Sequence, residues 1–375
     1  MPRHDWRALY AANQAAIAAS RGHAAAPTAP LRSTVSRSTG RPQLDLSSLP
    51  GGLPGGLPGG LTLPGASSTA VPSGSGKLER RTLDLPGGRR SFMVYTPLGH
   101  EGTAMPLVLA LHGCTQTAAG FAGSSGLHPV ADRDGLVIAY PEQPAEHNPG
   151  SCWNWFLPAH QRRDAGEPAA LAAITRSLLD AGGADPARVY VTGLSSGAAM
   201  AAIMGVTYPD LFAAVGVHSG LPYRSATTQQ AAFAAMANGV ADPDGLGRAA
   251  FAAAGPRARL VPVIVVHGNA DRTVDPGNGE AVVRQWMAAN RLAAPGRYTP
   301  DFDQPSRVES GQSPGGMRWA ASGWDDASGA EVQRYVQVLG LGHAWSGGSG
   351  GSFTEPRGPS ASDLMTAFFA RHRLP

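Results

Sequence analysis

The sequence predicts an α/β fold built on a mostly parallel, eight-stranded sheet with helices on both faces. Two observations predict it: strand-like and helix-like segments alternate, and three of the strand segments are nearly continuous apolar runs. Such runs are expected where a sheet is covered on both faces. In chain order the expected strands are Arg81–Leu85, Ser91–Tyr95, Leu107–Leu111, Leu136–Tyr140, Arg188–Thr192, Ala213–Val217, Val261–Val266 and Gln333–Leu339. The third, fourth and seventh are the apolar runs. Expected helices are Glu167–Leu179, Ser196–Thr207, Gly279–Asn290 and Ser360–His372. Pro168 supports the first start, because proline is tolerated in the first helical turn. The Ala-rich stretch Thr227–Ala254 reads as a small helical insert between strands six and seven.

The sheet pattern occupies residues 77–375, and residues 1–76 read differently. Trp6, Leu9, Tyr10 and Ile17 fall on helical spacing, although Asn13 interrupts the stripe. A short amphipathic helix near 5–19 is expected, either docked on its own domain, loose, or bound to a surface. Residues 24–76 read as a flexible tether, with Leu-Pro-Gly-Gly repeating from Leu49 through Gly60. Of 375 residues, 49 are Gly and 32 Pro, well above the usual combined share of about 12%.

Composition excludes several classes. Thirty basic against 27 acidic residues give a formal charge of +3, too balanced for a nucleic-acid binder. No run of about 18 apolar residues exists to span a bilayer. Two cysteines without a C-x-x-C exclude a disulfide-rich scaffold and argue against structural zinc. Residues 1–30 lack the shape of a signal peptide, so a cytoplasmic location is expected, with an extracellular one as the alternative.

The sharpest chemical signal is Gly193-Leu-Ser195-Ser196-Gly197, between an expected strand and a small-residue helix. A serine on such a strained turn is presented as a nucleophile, and glycines on either side remove bulk. A serine hydroxyl needs a base, and the base an orienting acid. His343 follows the eighth strand in Gly342-His343-Ala-Trp345 and is the expected base. Asp271 follows the seventh strand and is the expected acid, with Asp275 as its rival. His218 and His267 precede both acids, so they break the Ser–acid–His order and are read as structural. The amides of Ser196 and Cys114 are the expected oxyanion donors, the latter from the loop after strand three. Cys114 as nucleophile is the weaker reading, because it lacks the elbow. Cys114 and Cys152 sit on loops at one sheet edge and are read either as a disulfide or as two buried thiols. Trp153, Trp155 and Trp345 are read either as an apolar substrate platform or as core packing.

These motifs resemble the polyhydroxybutyrate depolymerase family of serine esterases. The resemblance rests on Leu111-His-Gly-Cys-Thr-Gln116, Tyr140-Pro-Glu-Gln143, Cys152-Trp-Asn-Trp-Phe156, Gly193–Gly197, His267-Gly-x-x-Asp271 and Gly342-His-Ala-Trp345. It implies the α/β-hydrolase fold, a Ser195–Asp271–His343 triad, and an acyl-enzyme route requiring no cofactor or metal. The implied substrates are short-chain polyhydroxyalkanoates or their oligomers. A carbohydrate esterase acting on feruloyl or acetyl esters is the alternative within the class. A non-catalytic protein bound to a polymer-granule surface is the alternative outside it. Typical secreted members carry a signal peptide and a polymer-binding domain, and neither is read here. That suits a granule-associated cytoplasmic form, and the sequence leaves oligomeric state open.

Overall fold

A computed structural model describes residues 74–99 and 102–375; the expected helix near 5–19 and almost all of the tether lie outside the described residues. The chain opens with an antiparallel hairpin, β1 (Lys77–Leu85) and β2 (Gly88–Thr96). Then come β3 (Met105–Leu111), α1 (Ala118–Ser124), α2 (Leu127–Asp134), β4 (Val137–Pro141), α3 (Gly166–Asp180) and β5 (Ala184–Leu194). After these follow α4 (Ser196–Thr207), β6 (Ala214–His218), α5 (Gln229–Asn238), α6 (Pro243–Ala254), β7 (Val263–Gly268) and α7 (Gly277–Ala293). The chain ends with β8 (Arg307–Gln312), β9 (Arg318–Asp325), β10 (Glu331–Val338), the short pair β11 (Trp345–Ser346) and β12 (Thr354–Glu355), and α8 (Ala361–Phe369).

The main sheet has ten strands in the order β1-β2-β4-β3-β5-β6-β7-β10-β9-β8. Its centre, from β4 to β10, is parallel, and both margins are antiparallel. This corrects the expectation of eight mostly parallel strands. The additional strands are β8 and β9, a hairpin that β10 carries at the far margin. Every residue of β8 is exposed except Gly311, so no apolar alternation announces it. Helices α1 and α2 were also not expected from sequence; Gly120, Gly123 and Pro129 interrupt their pattern. The insert between β6 and β7 is two helices, capped by Thr228 and Asp242, whose side chains accept from Ala231 N and Gly245 N.

Burial explains the centre. Leu107, Val108, Leu109, Ala110 and Leu111 of β3 are all fully buried, because helices cover both faces. On one face Val108, Ala110, Ile138 and Tyr190 pack with Phe121, Val130, Met365 and Phe368 from α1, α2 and α8. On the other, α4 is buried along its whole length. Its small residues allow that approach: a Cβ on Gly205 would sit 2.5 Å from Val215 Cγ2. The outermost strands are polar instead. β1 carries Lys77, Glu79, Arg80, Arg81 and Asp84, and β8 carries Arg307 and Glu309.

Candidate active site

Strand register brings the chemical residues to one edge. Leu194 pairs with His218, His218 with Val266, and Gln337 with His267, so the carboxyl ends of β5, β6, β7 and β10 are level. Open α/β sheets place their sites at this edge. Ser195 follows β5 directly, and its amide donates to His218 O at 2.9 Å. Its backbone is held at φ 57° and ψ −118°, a region that L residues other than glycine seldom occupy. The flanking glycines are obligatory. A Cβ on Gly193 would lie 2.5 Å from Gly197 C, and one on Gly197 would lie 2.3 Å from Leu111 O. Ser196 then opens α4, directing the positive end of the helix at Ser195.

The acid and the base meet across two loops. His343 Nδ1 donates to Asp271 Oδ2 at 2.8 Å. Asp271 Oδ1 accepts from the amides of Thr273 and Val274, both at 2.9 Å. The loops are themselves joined by Asn269 N to Val338 O and Ala270 N to Leu341 O, each 3.1 Å. Gly268 permits this approach, since a Cβ there would sit 2.1 Å from Leu341 O. Burial alone would raise the Asp271 pKa. The hydrogen bonds and charges of His267 and His343 outweigh it and hold the carboxyl far below its usual range. Asp275, the rival acid, accepts from Gly277 N at 2.8 Å at the start of α7.

Two further histidines lie beneath. His267 Nε2 donates to Val274 O at 3.0 Å and lies 3.4 Å from Asp271 Oδ2, so it braces the acid. His218 is fully buried, and Ser346 N donates to its Nε2 at 3.1 Å. Burial, assisted by the charges of His267 and His343, pushes its pKa down to about 3.

On the other side of Ser195 lies the loop after β3. Gly113 N donates to Gln116 Oε1, Gln116 N to Gly113 O and Thr115 N to Gly150 O. Among the described residues no acceptor takes the amide of Cys114 or that of Ser196. Cys114 is joined to Cys152 by a disulfide, which withdraws its thiol from nucleophilic chemistry. His112 donates from Nδ1 to Gly113 O at 2.8 Å and accepts from Gln143 N at 3.1 Å. Burial lowers its pKa, so the ring is neutral and its tautomer is fixed by these partners.

Glu167 is the residue that sequence reasoning missed. The sequence marks it only as a helix start. Its buried carboxylate takes Gln143 Nε2 and Asn154 Nδ2 on Oε1, both at 2.6 Å, and Asn154 N on Oε2 at 2.8 Å. Gln143 also donates to Cys152 O at 3.1 Å. One buried carboxylate thereby ties together the loop after β4. The available signal was a lone acid opening the apolar stripe Leu171, Ile174 and Leu178.

The three tryptophans are a correction. They form no open platform: Trp153, Trp155 and Trp345 are 2%, 5% and 0% exposed. Trp153 Nε1 donates to His112 O at 3.0 Å. Trp345 stacks on His218 with centroids 5.0 Å apart, and its Nε1 donates to Ser362 Oγ. Among the described residues no cluster of three His, Cys, Asp or Glu side chains is arranged to hold a metal. No helix among them is long and apolar enough to cross a membrane.

A poly(3-hydroxyalkanoate) depolymerase C of Paucimonas lemoignei is 37% identical over 206 residues, covering 54% of this chain and 48% of that protein. The chain thus spans about half the length of that relative. A probable acetylxylan esterase A of Aspergillus clavatus is 30% identical over 248 residues, covering 63% of this chain and 74% of that protein. Among solved structures, an acetyl xylan esterase from Aspergillus awamori superposes with a TM-score of 0.63 at 23% identity, covering 79% of this chain and all of that one. That likeness shows a shared α/β-hydrolase fold. Residues 90–297 match the family described as Esterase PHB depolymerase, a span that includes Ser195 and Asp271 and ends before His343. As that span is more than half of the chain, the chain belongs to the PHB depolymerase family of esterases.

Proposed function

We propose that this chain hydrolyses carboxylic esters through an acyl-enzyme on Ser195. The observation that carries the reading is the part-buried His343–Asp271 hydrogen bond, 2.8 Å long, at the same sheet edge as the strained Ser195. Asp271 holds His343 in the tautomer whose Nε2 faces away from the acid and can accept a proton. His343 takes the Ser195 proton as Oγ attacks the ester carbonyl carbon. The carbonyl oxygen becomes an oxyanion between the amides of Ser196 and Cys114, both without an internal acceptor. The carbon–oxygen bond to the alcohol breaks as His343 returns the proton to the leaving oxygen. Water repeats the sequence on the acyl-serine and releases the acid.

For substrate we favour short-chain polyhydroxyalkanoates or their oligomers, supported by the higher identity to the Paucimonas depolymerase. Acetylated carbohydrate is the second reading, supported by the longer match to the Aspergillus acetylxylan esterase. The Cys114–Cys152 disulfide favours an oxidising compartment, and hence the extracellular alternative over the cytoplasm.

The test is turnover of p-nitrophenyl butyrate by the full chain and by Ser195→Ala. Losing the nucleophile removes about 10⁶ in turnover while leaving circular dichroism unchanged. Activity within tenfold of wild type would overturn the triad, and an inactive wild type would favour a binding protein. Product release from amorphous polyhydroxybutyrate, acetylated xylan and a feruloylated sugar then ranks the substrate classes.

A further inference from the structure

Phe353 precedes β12 in a segment containing Gly347, Gly348, Gly350 and Gly351. It is the residue of that segment with a positive φ, 55°, that is not glycine. A bulky side chain in that region is strained, and glycine would be free of the strain. The ring does not compensate by full burial, because Phe353 is 42% exposed. Its packing therefore does not account for phenylalanine at this position.

The conformation is imposed from both sides. Trp345 N donates to Phe353 O at 2.7 Å, and Gln116 Nε2 donates to Ser352 O at 2.9 Å. Gln116 is also the acceptor for Gly113 N, next to Cys114. The main chain that carries the ring is thus tied to the His343 loop and to the loop after β3. Its centroid lies 6.1 Å from that of His343, edge to face at 77°. In the proposed reaction His343 returns its proton to the leaving alcohol, so the imidazole marks the alcohol side of the ester. A ring at that distance from the imidazole is within reach of the alcohol.

We propose that Phe353 is the apolar wall of the leaving-group subsite and selects esters whose alcohol carries apolar carbon beside the ester oxygen. Hydroxyacid units with an alkyl branch are of that class, and methanol is not. Strained backbone clusters at catalytic and binding sites, and Phe353 holds it at an exposed aromatic beside His343. The proposal rests on the Ser195–His343 reading above.

The experiment uses the full chain and two ester series. In one the acid is butyrate and the alcohol is methanol, 2-propanol or benzyl alcohol. In the other the alcohol is methanol and the acid is acetate, butyrate or hexanoate. Phe353→Gly relieves the positive φ, so its melting temperature should equal or exceed that of wild type. Its KM for benzyl butyrate should rise about tenfold, the scale of one lost apolar contact in a pocket. Its KM for methyl butyrate, and kcat throughout, should stay within twofold. Phe353→Asn, which also tolerates positive φ but is polar, should behave alike. An equal loss on every ester, or a loss that follows the acid rather than the alcohol, overturns the proposal. If Ser195→Ala is inactive while Phe353→Gly keeps the wild-type dependence of KM on the alcohol, this proposal alone fails. If Ser195→Ala keeps wild-type turnover, the triad reading fails with it.

Discussion

Two loops of the site, those after β4 and β10, are fastened by different means. The loop after β4 is fixed by side chains and a covalent bond. Cys152 is bonded to Cys114, Glu167 takes three donors, and Trp153 reaches His112 O. The loop after β10, which carries His343, is fixed mostly through its main chain. Gly347 N donates to Glu355 O, Ser349 N to Ser124 O and Trp345 N to Phe353 O. Its side-chain anchors include Trp345 and Ser346, reaching Ser362 Oγ and Pro359 O, and His343, bonded to Asp271. The first arrangement requires particular residue types, whereas the second requires mainly a path. Donors aimed at a developing charge need to be set before reaction, and a disulfide and buried hydrogen bonds do that on the Cys114 side.

The largest expected effect lies on the His343 side. Asp271→Asn should lower kcat about 10⁴-fold by leaving His343 in the wrong tautomer. Asp275→Asn should cost far less, because Asp275 serves the start of α7. Steady-state kinetics of both variants checks this, and a larger loss from Asp275→Asn would reverse the assignment. Next comes the covalent fastening. The double variant Cys114→Ser/Cys152→Ser opens a loop with a sequence separation of 38. Urea unfolding without reductant should show it less stable by about 3–4 kcal/mol. Its kcat should fall about tenfold as the Cys114 amide loosens. Unchanged stability and turnover would show that Glu167 and its partners suffice alone.

The smallest effect is a pH slope. His218 is neutral when folded, with its pKa pushed down to about 3 by burial. In the unfolded chain it takes a proton below about 6.5. Its contribution is therefore intact above pH 6.5 and is lost as pH falls toward 3, at up to about 1.4 kcal/mol per pH unit. Protonation also ends its acceptance from Ser346 N, so the loop after β10 should loosen first. His128 and His372, both pushed to about 4 by burial, add a common background. Against that background His218→Gln should show a shallower acid slope in urea unfolding between pH 7 and pH 4.5. Equal slopes would remove His218 from the account.

The same division explains what was legible beforehand. β3 reads as Leu-Val-Leu-Ala-Leu because both of its faces are covered, and burial leaves a mark on residue type. β8 reads as Arg-Val-Glu-Ser-Gly-Gln because it is almost wholly exposed and is held by backbone pairing to β9. Ser195, Asp271 and His343 stood out since few side chains can do their chemistry and their order along the chain is constrained. Glu167 did not stand out, because its role depends on Gln143 and Asn154, which only the fold brings near it. Trp345 suited a platform by position alone. Its burial is decided by Ser362 and His218, distant in sequence.

The charged outer strands have a consequence beyond the site. A sheet margin offers a row of unpaired amides and carbonyls to any strand that approaches it. At one border such a strand would meet Lys77, Glu79, Arg80, Arg81 and Asp84. At the other it would meet Arg307 and Glu309. Docking there would strip water from these charges, so growth from molecule to molecule by strand addition is opposed at both ends. Molecules crowded together at high concentration are thereby kept from zipping into fibres.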